Sequence, residues 1–285
     1  MKICRFDADR VGVVRDGMVY DVTEVTATLP PLRWPVPRGD HFIANFATLR
    51  PELEKAAGRA KGVPLAQVKL LSPIANPTKI IGAPINYNDH IAEAKADQTI
   101  AHGRELKSIG DMGMLLKATT SLVGPSEGVA QRFVDRRNDH EVELAVIIGK
   151  QGTNIPKTRA LDYIVGYAIG LDMTVRGPEL PCFRKSIDTY SVLGPWMVTA
   201  DEIPDPGNLK LKLAVNGDVK QNSSTRYLVF DVQRLIEFTS SFYSLYPGDV
   251  IMTGTPAGVS PIKPGDVMDV EIERVGRMQV KIRAA

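Results

Sequence analysis

The chain has 285 residues, with 35 Lys and Arg against 33 Asp and Glu and a formal net charge of +2. Its basic residues are scattered, which excludes the electrostatic footprint of a nucleic-acid or acidic-membrane binder and points to a small-molecule partner. No stretch reaches the roughly 18 to 20 apolar residues needed to span a bilayer, and the N-terminal MKICRFDADRVGVV lacks an apolar signal region, so a cytoplasmic protein is expected. Cys4 and Cys182 stand far apart, outside any CxxC or zinc spacing, which fits a reducing compartment and inert thiols.

In chain order, residues 1–25 alternate in a strand-like way (Ile3, Arg5, Val11, Val13, then Val19, Tyr20 and Val22) around a turn at Asp16-Gly17, predicting a small antiparallel meander. HFIANFATLRPELEKAAGRA, from about 40 to 60, predicts helix, with Pro51 starting a second helix at its first turn. The proline-punctuated connector Leu71 to Pro77 predicts a boundary between a small N-terminal domain, 1–72, and a larger domain, 73–285. Beyond it, most runs are short, rich in Val and Ile, and bounded by Gly, Pro or Asn. Val215-Asn216-Gly217-Asp218-Val219 reads as a hairpin. Two Pro-Gly-Asp turns, at 247–249 and 264–266, each precede a β-rich run. Asp231 caps the clearest helix, whose stripe is Val232, Leu235, Ile236, Thr239 and Tyr243. The larger domain is therefore mainly β with a few helices. GxGxxG and P-loop patterns are absent, which counts against a nucleotide cofactor.

Two carboxylates, Glu141 and Glu143, open the apolar run Leu144 to Gly149, and Asp172 closes the next one, Tyr163 to Leu171. Residues i and i+2 of a strand share a face. Side by side at the entry to a core, the two carboxylates repel and lose hydration unless a cation or a proton compensates. With a third acid from the neighbouring strand they make an all-oxygen site, suited to Mg²⁺ or Mn²⁺, with Ca²⁺ also compatible. The same pattern also describes solvent-face acids of an edge strand beside a turn aspartate.

His90 and Glu93 lie three residues apart in NYNDHIAE, a spacing that puts both side chains on one face of a helical turn. An imidazole held by a carboxylate is a general base able to activate water, because the acid fixes its tautomer and raises its basicity. A solvated surface pair has the same spacing.

NYNDHIAE, GMLLKATTS, DHEVELAVIIGK, AIGLDMTVRG, FRKSIDTYSVLGPW, AVNGDVKQ and LYPGDVIMTGTPAGVSPIKPGDVMDVEIERVG follow one another in the order found in the fumarylacetoacetate hydrolase family. From about residue 77 onward the chain resembles that family, most specifically in EVELAVIIG and TGTPAGV. The first seventy or so residues resemble the variable small domain of many bacterial members. The resemblance implies an α+β, mainly β architecture: a catalytic domain built as a mixed β-sheet roll or sandwich, preceded by a small N-terminal α/β domain. It implies metal ligation by Glu141, Glu143 and Asp172, a conserved lysine near metal and keto acid at Lys185, and a His-Glu dyad at His90 and Glu93 on a segment that orders as a lid. It also implies substrate contacts at Thr255 beside Gly254, at Gln221 and at Lys117. Two departures bear on this: Ala118 follows Lys117 where proline is usual, and Gly177 follows Arg176 where aspartate is usual. The stretch between Glu93 and Lys117 is longer than in compact members. It is either a solvated loop or an extended lid whose Lys95, His102, Arg104 or Lys107 meets a second anionic group of the substrate.

The implied activity is metal-dependent hydrolysis of a C–C bond in an acylpyruvate such as maleylpyruvate or fumarylpyruvate, giving pyruvate and an acid, with no organic cofactor and as a homodimer. Decarboxylation of oxaloacetate, or isomerisation or hydration of dienoic 2-oxo acids, uses the same site without that water attack, and fold and metal ligands alone do not separate these reactions. A reading from another class, a non-catalytic metal-binding module, has no use for His90, Glu93 and Lys185 together.

Overall fold

A computed structural model describes residues 1–103, 105 and 107–285; the expectation placed on Arg104 lies outside them. Twelve strands form a mixed sheet whose path runs Gly62–Pro64, Met18–Asp21, Arg10–Arg15, Lys2–Phe6, Ser191–Thr199, Ile164–Asp172, Val142–Ile148, Val250–Met252, Ile80–Gly82 and Leu115–Lys117, with two short strands pairing beside it. Five more strands (Asp218–Ser224, Lys210–Val215, Val267–Ile272, Gly276–Ala284 and Val129–Gln131) make a second sheet. The mainly β architecture expected from the sequence is present. Among the described residues no helix is long and apolar enough to cross a membrane.

The central strand Val142–Ile148 is buried along its whole length, because both of its faces are covered. Leu144, Val146 and Ile148 share a core with Leu211, Leu213, Met268 and Val270 of the second sheet. Ala145 and Ile147 pack instead with Ile3 and Val13 of the N-terminal meander and with Phe46, Leu49 and Leu53 of a helix. A strand covered on both sides reads as a continuous apolar run, and EVELAVIIG has that form. The first seventy residues thus extend the sheet through the Lys2–Phe6 and Ser191–Thr199 pairing and contribute one of its two apolar covers.

The N-terminal helices differ from the expectation at Pro51. The break falls at Asn45, between His41–Ala44 and Phe46–Arg59, and Pro51 sits inside the second helix. Leu49, Leu53, Ala56 and Ala57 face the core, whereas Ala47 and Pro51 are exposed, so the carbonyl deprived of its usual partner by proline faces water. The hairpin at Asn216-Gly217 forms as read: both residues have positive φ, 51° and 89°, as a tight two-residue turn requires. Asp231 caps the helix Val232–Phe242 by accepting from the Arg234 N–H, and Tyr243 lies just past its end.

Candidate metal centre and active site

Antiparallel pairing of Val142–Ile148 with Ile164–Asp172 fixes the acidic trio. Val142 stands opposite Leu171 and Glu143 opposite Gly170, while the Asp172 N–H donates to the Glu141 carbonyl at 2.9 Å. Glu141, Glu143 and Asp172 therefore continue the face that carries Ala145, Ile147 and Ala168, just past the end of that core. One carboxylate oxygen from each lies within 4.8 Å of the others, and all three residues are buried. Oxygens sharing an octahedral Mg²⁺ at about 2.1 Å lie roughly 3 to 4 Å apart, so the trio fits a hard divalent cation with little movement.

Cations crowd one side of the trio. Lys185 Nζ donates to Glu141 Oε2 at 2.6 Å, to Asp172 Oδ2 at 2.7 Å and to Thr174 Oγ1 at 2.7 Å. Lys117 Nζ donates to Asp172 Oδ1 and to the Tyr190 carbonyl. Arg176 spans Asp139 and Glu141, at 2.8 Å to each. The electrostatic results diverge. Burial alone would raise the Glu141 pKa, but Lys185, Arg176 and His90 outweigh it and hold that carboxyl well below the usual range. At Glu143, burial and then the charges of Asp172 and Glu141 prevail over Lys185 and the Gly254 N–H, and the pKa is raised well above the ordinary value. Burial lowers the Lys117 pKa against the pull of Asp172, while at Lys185 the opposing burial is overcome by Asp172 and Glu141 and the pKa is raised.

The dyad forms as its spacing suggests. His90 and Glu93 sit on the helix Asn88–Ala96, and His90 Nδ1 is 2.8 Å from Glu93 Oε2. Glu93 Oε1 accepts from the Gly258 N–H at 2.8 Å, tying the helix to the loop after TGTP. With Nδ1 engaged, Nε2 is the ring nitrogen left for chemistry.

TGTP supports the trio from behind. Gly254 has φ +100°, and a Cβ there would meet the Asn86 Cβ at 2.7 Å, so glycine alone lets its N–H reach Glu143 Oε2 at 2.6 Å. Thr255 Oγ1 donates to the Val142 carbonyl at 2.9 Å and accepts from Gln221 Nε2 at 2.7 Å. Gln221 also donates to the Pro256 carbonyl, and its Oε1 faces the Val142 N–H and His140 Nδ1. It is fully buried behind Thr255.

A cavity of about 130 Å³ collects His90, Glu141, Glu143, Lys185 and Thr255, together with Arg176 and Arg184. Its apolar wall includes Ile85, Ile100, Met112 and Leu115. Asp172, Lys117, Gln221 and Gly254 stand behind that lining. Within the 94–113 stretch, Lys95, His102 and Lys107 are exposed and lie outside the lining, whereas Ile100 and Met112 contribute to it. Sequence reasoning missed Arg184 at the cavity and the Arg137–Asp139 pair behind Arg176. The charged RRNDHE run leading into the strand Val142–Ile148 was the available signal for that pair.

Known proteins resemble the chain in sequence and in fold. The family model described as fumarylacetoacetate (FAA) hydrolase C-terminal matches residues 79–283. A maleylpyruvate hydrolase of Aquipseudomonas alcaligenes is 52% identical over 286 residues, covering all of both chains. The mitochondrial oxaloacetate tautomerase Fahd2a of Rattus norvegicus is 35% identical over 226 residues, 75% of this chain and 69% of that one. The crystal structure of maleylpyruvate hydrolase from Sphingobium sp. SYK-6 in complex with manganese(II) ion and pyruvate superposes with a TM-score of 0.84 at 39% identity, covering all of both chains. The chain belongs to the fumarylacetoacetate hydrolase family.

Proposed function

We propose that the protein is a metal-dependent hydrolase that cleaves the C–C bond of an acylpyruvate of the maleylpyruvate type, releasing pyruvate and an acid. The observation that carries this reading is the placement of His90, held by Glu93, on the same cavity as Glu141, Glu143 and Lys185. The full-length similarity to two maleylpyruvate hydrolases supports it.

Glu141, Glu143 and Asp172 would hold Mg²⁺ or Mn²⁺, with Ca²⁺ also accommodated by an all-oxygen site. Such an ion supplies positive charge that anchors a 2-oxo carboxylate and stabilises negative charge developing at the pyruvate end. Lys185 adds its positive charge beside that end of the substrate, and Thr255 lines it. His90 takes a proton from water through Nε2, with Glu93 orienting the ring, and the hydroxide attacks the distal carbonyl carbon. The bond from that carbon to the pyruvate methylene breaks, and its electron pair stays on the methylene as the enolate of pyruvate. A proton returned to that carbon gives pyruvate, while the acyl half leaves as a carboxylic acid. The apolar wall restricts water to what the dyad positions.

Pyruvate release from a panel of acylpyruvates, measured with Mg²⁺, with Mn²⁺ and with EDTA, tests the reading. Metal-dependent release supports it. Turnover of oxaloacetate alone would overturn it, by enol–keto exchange in favour of the activity named for the 35% identical relative, or by loss of CO₂ in favour of a decarboxylase. The reading includes a homodimer, from the family resemblance, and a cytoplasmic setting, which suits two cysteines outside any disulfide. A sedimenting species of 31.2 kDa alone at micromolar concentration would remove the dimer.

A further inference from the structure

We propose that Arg137 is a positioning residue that latches the His90-bearing segment over the cavity and joins it, by a continuous chain of charged hydrogen bonds, to the carboxylate of Glu141. Arg137 Nη1 donates to Asp97 Oδ2 at 2.7 Å and to Thr99 Oγ1 at 2.6 Å. Its Nε donates to Asp139 Oδ1 at 2.8 Å. The other oxygen of Asp139 accepts from Arg176 Nε at 2.8 Å, and Arg176 Nη2 reaches Glu141 Oε1 at 2.8 Å. Asp97 directly follows the helix Asn88–Ala96, which carries His90 and Glu93, and caps the short helix Gln98–Ala101. Ile100 and Ala101 of that short helix form part of the cavity wall.

The geometry gives Arg137 a rigid inner end and a movable outer one. Asn138–Asp139 pairs with Thr174–Val175, and the Arg176 N–H donates to the Arg137 carbonyl at 2.8 Å, so the Arg137–Asp139–Arg176 group is fixed by backbone as well as charge. Asp139 is fully buried, whereas the side chain of Asp97 is 40% exposed. The segment that Arg137 reaches is lightly held. Beyond Tyr87, which sits in the main core, the ties among the described residues include the small apolar cluster of Ala94, Ile100 and Val259 and the Gly258 N–H to Glu93. Segments with few buried contacts open at low cost, and one charge-assisted fork then shifts their closed population substantially. Hydrogen bonds from Thr99 and Arg137 lower the Asp97 carboxyl to about 2, so it is charged at neutral pH. When the segment closes, His90 meets a Glu141 that Arg176 already holds.

Amide hydrogen exchange and kinetics on Arg137→Met, Asp97→Asn and Thr99→Val test the latch. The kinetic arm rests on the hydrolytic reading; the exchange arm does not. In Arg137→Met, amides of 88–101 should exchange about tenfold faster while the central strands are unchanged. The rate constant kcat should fall about tenfold, with Mn²⁺ affinity kept within about threefold. In a His90→Ala background, Arg137→Met should cost less than about twofold more, because a latch for an absent base has nothing to position. Asp97→Asn and Thr99→Val should reproduce a milder form while leaving Asp139 and Arg176 paired, which keeps the test available if Arg137→Met fails to fold. Unchanged exchange in 88–101, or an equal kcat loss with and without His90, overturns the latch. If the wild type cleaves no acylpyruvate, the hydrolytic reading falls and the exchange result alone decides.

Discussion

Glu141 and Glu143 share one face at the mouth of one strand, yet Glu141 lies within 2.8 Å of both Arg176 and Lys185, whereas among the described residues the hydrogen-bond donor to the Glu143 side chain is the Gly254 N–H. That difference gives the two carboxyls opposite linkage to pH. The raised pKa of Glu143 means the folded state holds its proton more tightly than the unfolded chain, so stability is present at low pH. It is lost as pH climbs from the unfolded value, about 4.3, up through the folded one. In EDTA at neutral pH, Glu143→Gln should therefore melt above wild type, with the gap closing toward pH 4. Melting curves against pH check this, and a lower Tm for the variant at every pH would refute it.

Glu141→Gln should do the reverse. The pKa of Glu141 is lowered, so its contribution is present above the unfolded value and disappears as pH falls through the folded one. Removing the charge leaves Arg176 and Lys185 buried with one anion fewer, a loss of about 3 kcal/mol for a broken buried pair. Asp139 and Asp172 remain as their other partners. Denaturant titration of the metal-free variants at pH 7 should place Glu141→Gln below wild type and Glu143→Gln above it.

For turnover the two glutamates should behave alike. Glu143→Ala should abolish metal-dependent activity while the protein remains folded, and so should Glu141→Ala and Asp172→Ala. Double variants should be little worse than single ones, since each disables the same ion. In parallel melts, Mn²⁺ at about 100 times its Kd should add about 2.7 kcal/mol of stability to wild type and nothing to Glu143→Ala. An undiminished Mn²⁺ shift in that variant would remove Glu143 from the ligand set.

Much of the site was legible because it follows from local rules. A two-residue strand period put Glu141 and Glu143 on one face, and a three-residue helical spacing joined His90 to Glu93. Other parts depend on contacts distant in sequence. Gln221, on a strand of the second sheet, reaches Thr255 in the loop after Val250–Met252, 34 residues away, and its burial as a support for that threonine has no sequence period behind it. Arg137, Asp139 and Arg176 meet through the two-residue ladder Asn138–Asp139 with Thr174–Val175, too short to leave a pattern. Pro51 falls inside its helix and not at the start because proline marks a helix start only as a tendency, and here Ala47, whose carbonyl it deprives of a partner, is exposed.

His90 gives the sharpest division between reactions. If its Nε2 takes the proton from the attacking water, His90→Ala should lower kcat for acylpyruvate cleavage by roughly 10²-fold or more, the scale of a positioned general base. Mn²⁺ binding and inhibition by oxalate, a mimic of the pyruvate end, should persist, because Glu141, Glu143, Asp172 and Lys185 are untouched. Glu93→Gln should show a smaller defect: the ring remains, but the carboxylate 2.8 Å from Nδ1 loses the charge that stabilises the imidazolium. Decarboxylation of oxaloacetate requires no water attack, so any such activity should survive His90→Ala far better than cleavage does. Assaying both reactions in the one variant settles the role of the dyad. If acylpyruvate cleavage is retained along with decarboxylation, His90 is not the base, and the contact with Glu93 serves only to hold the helix.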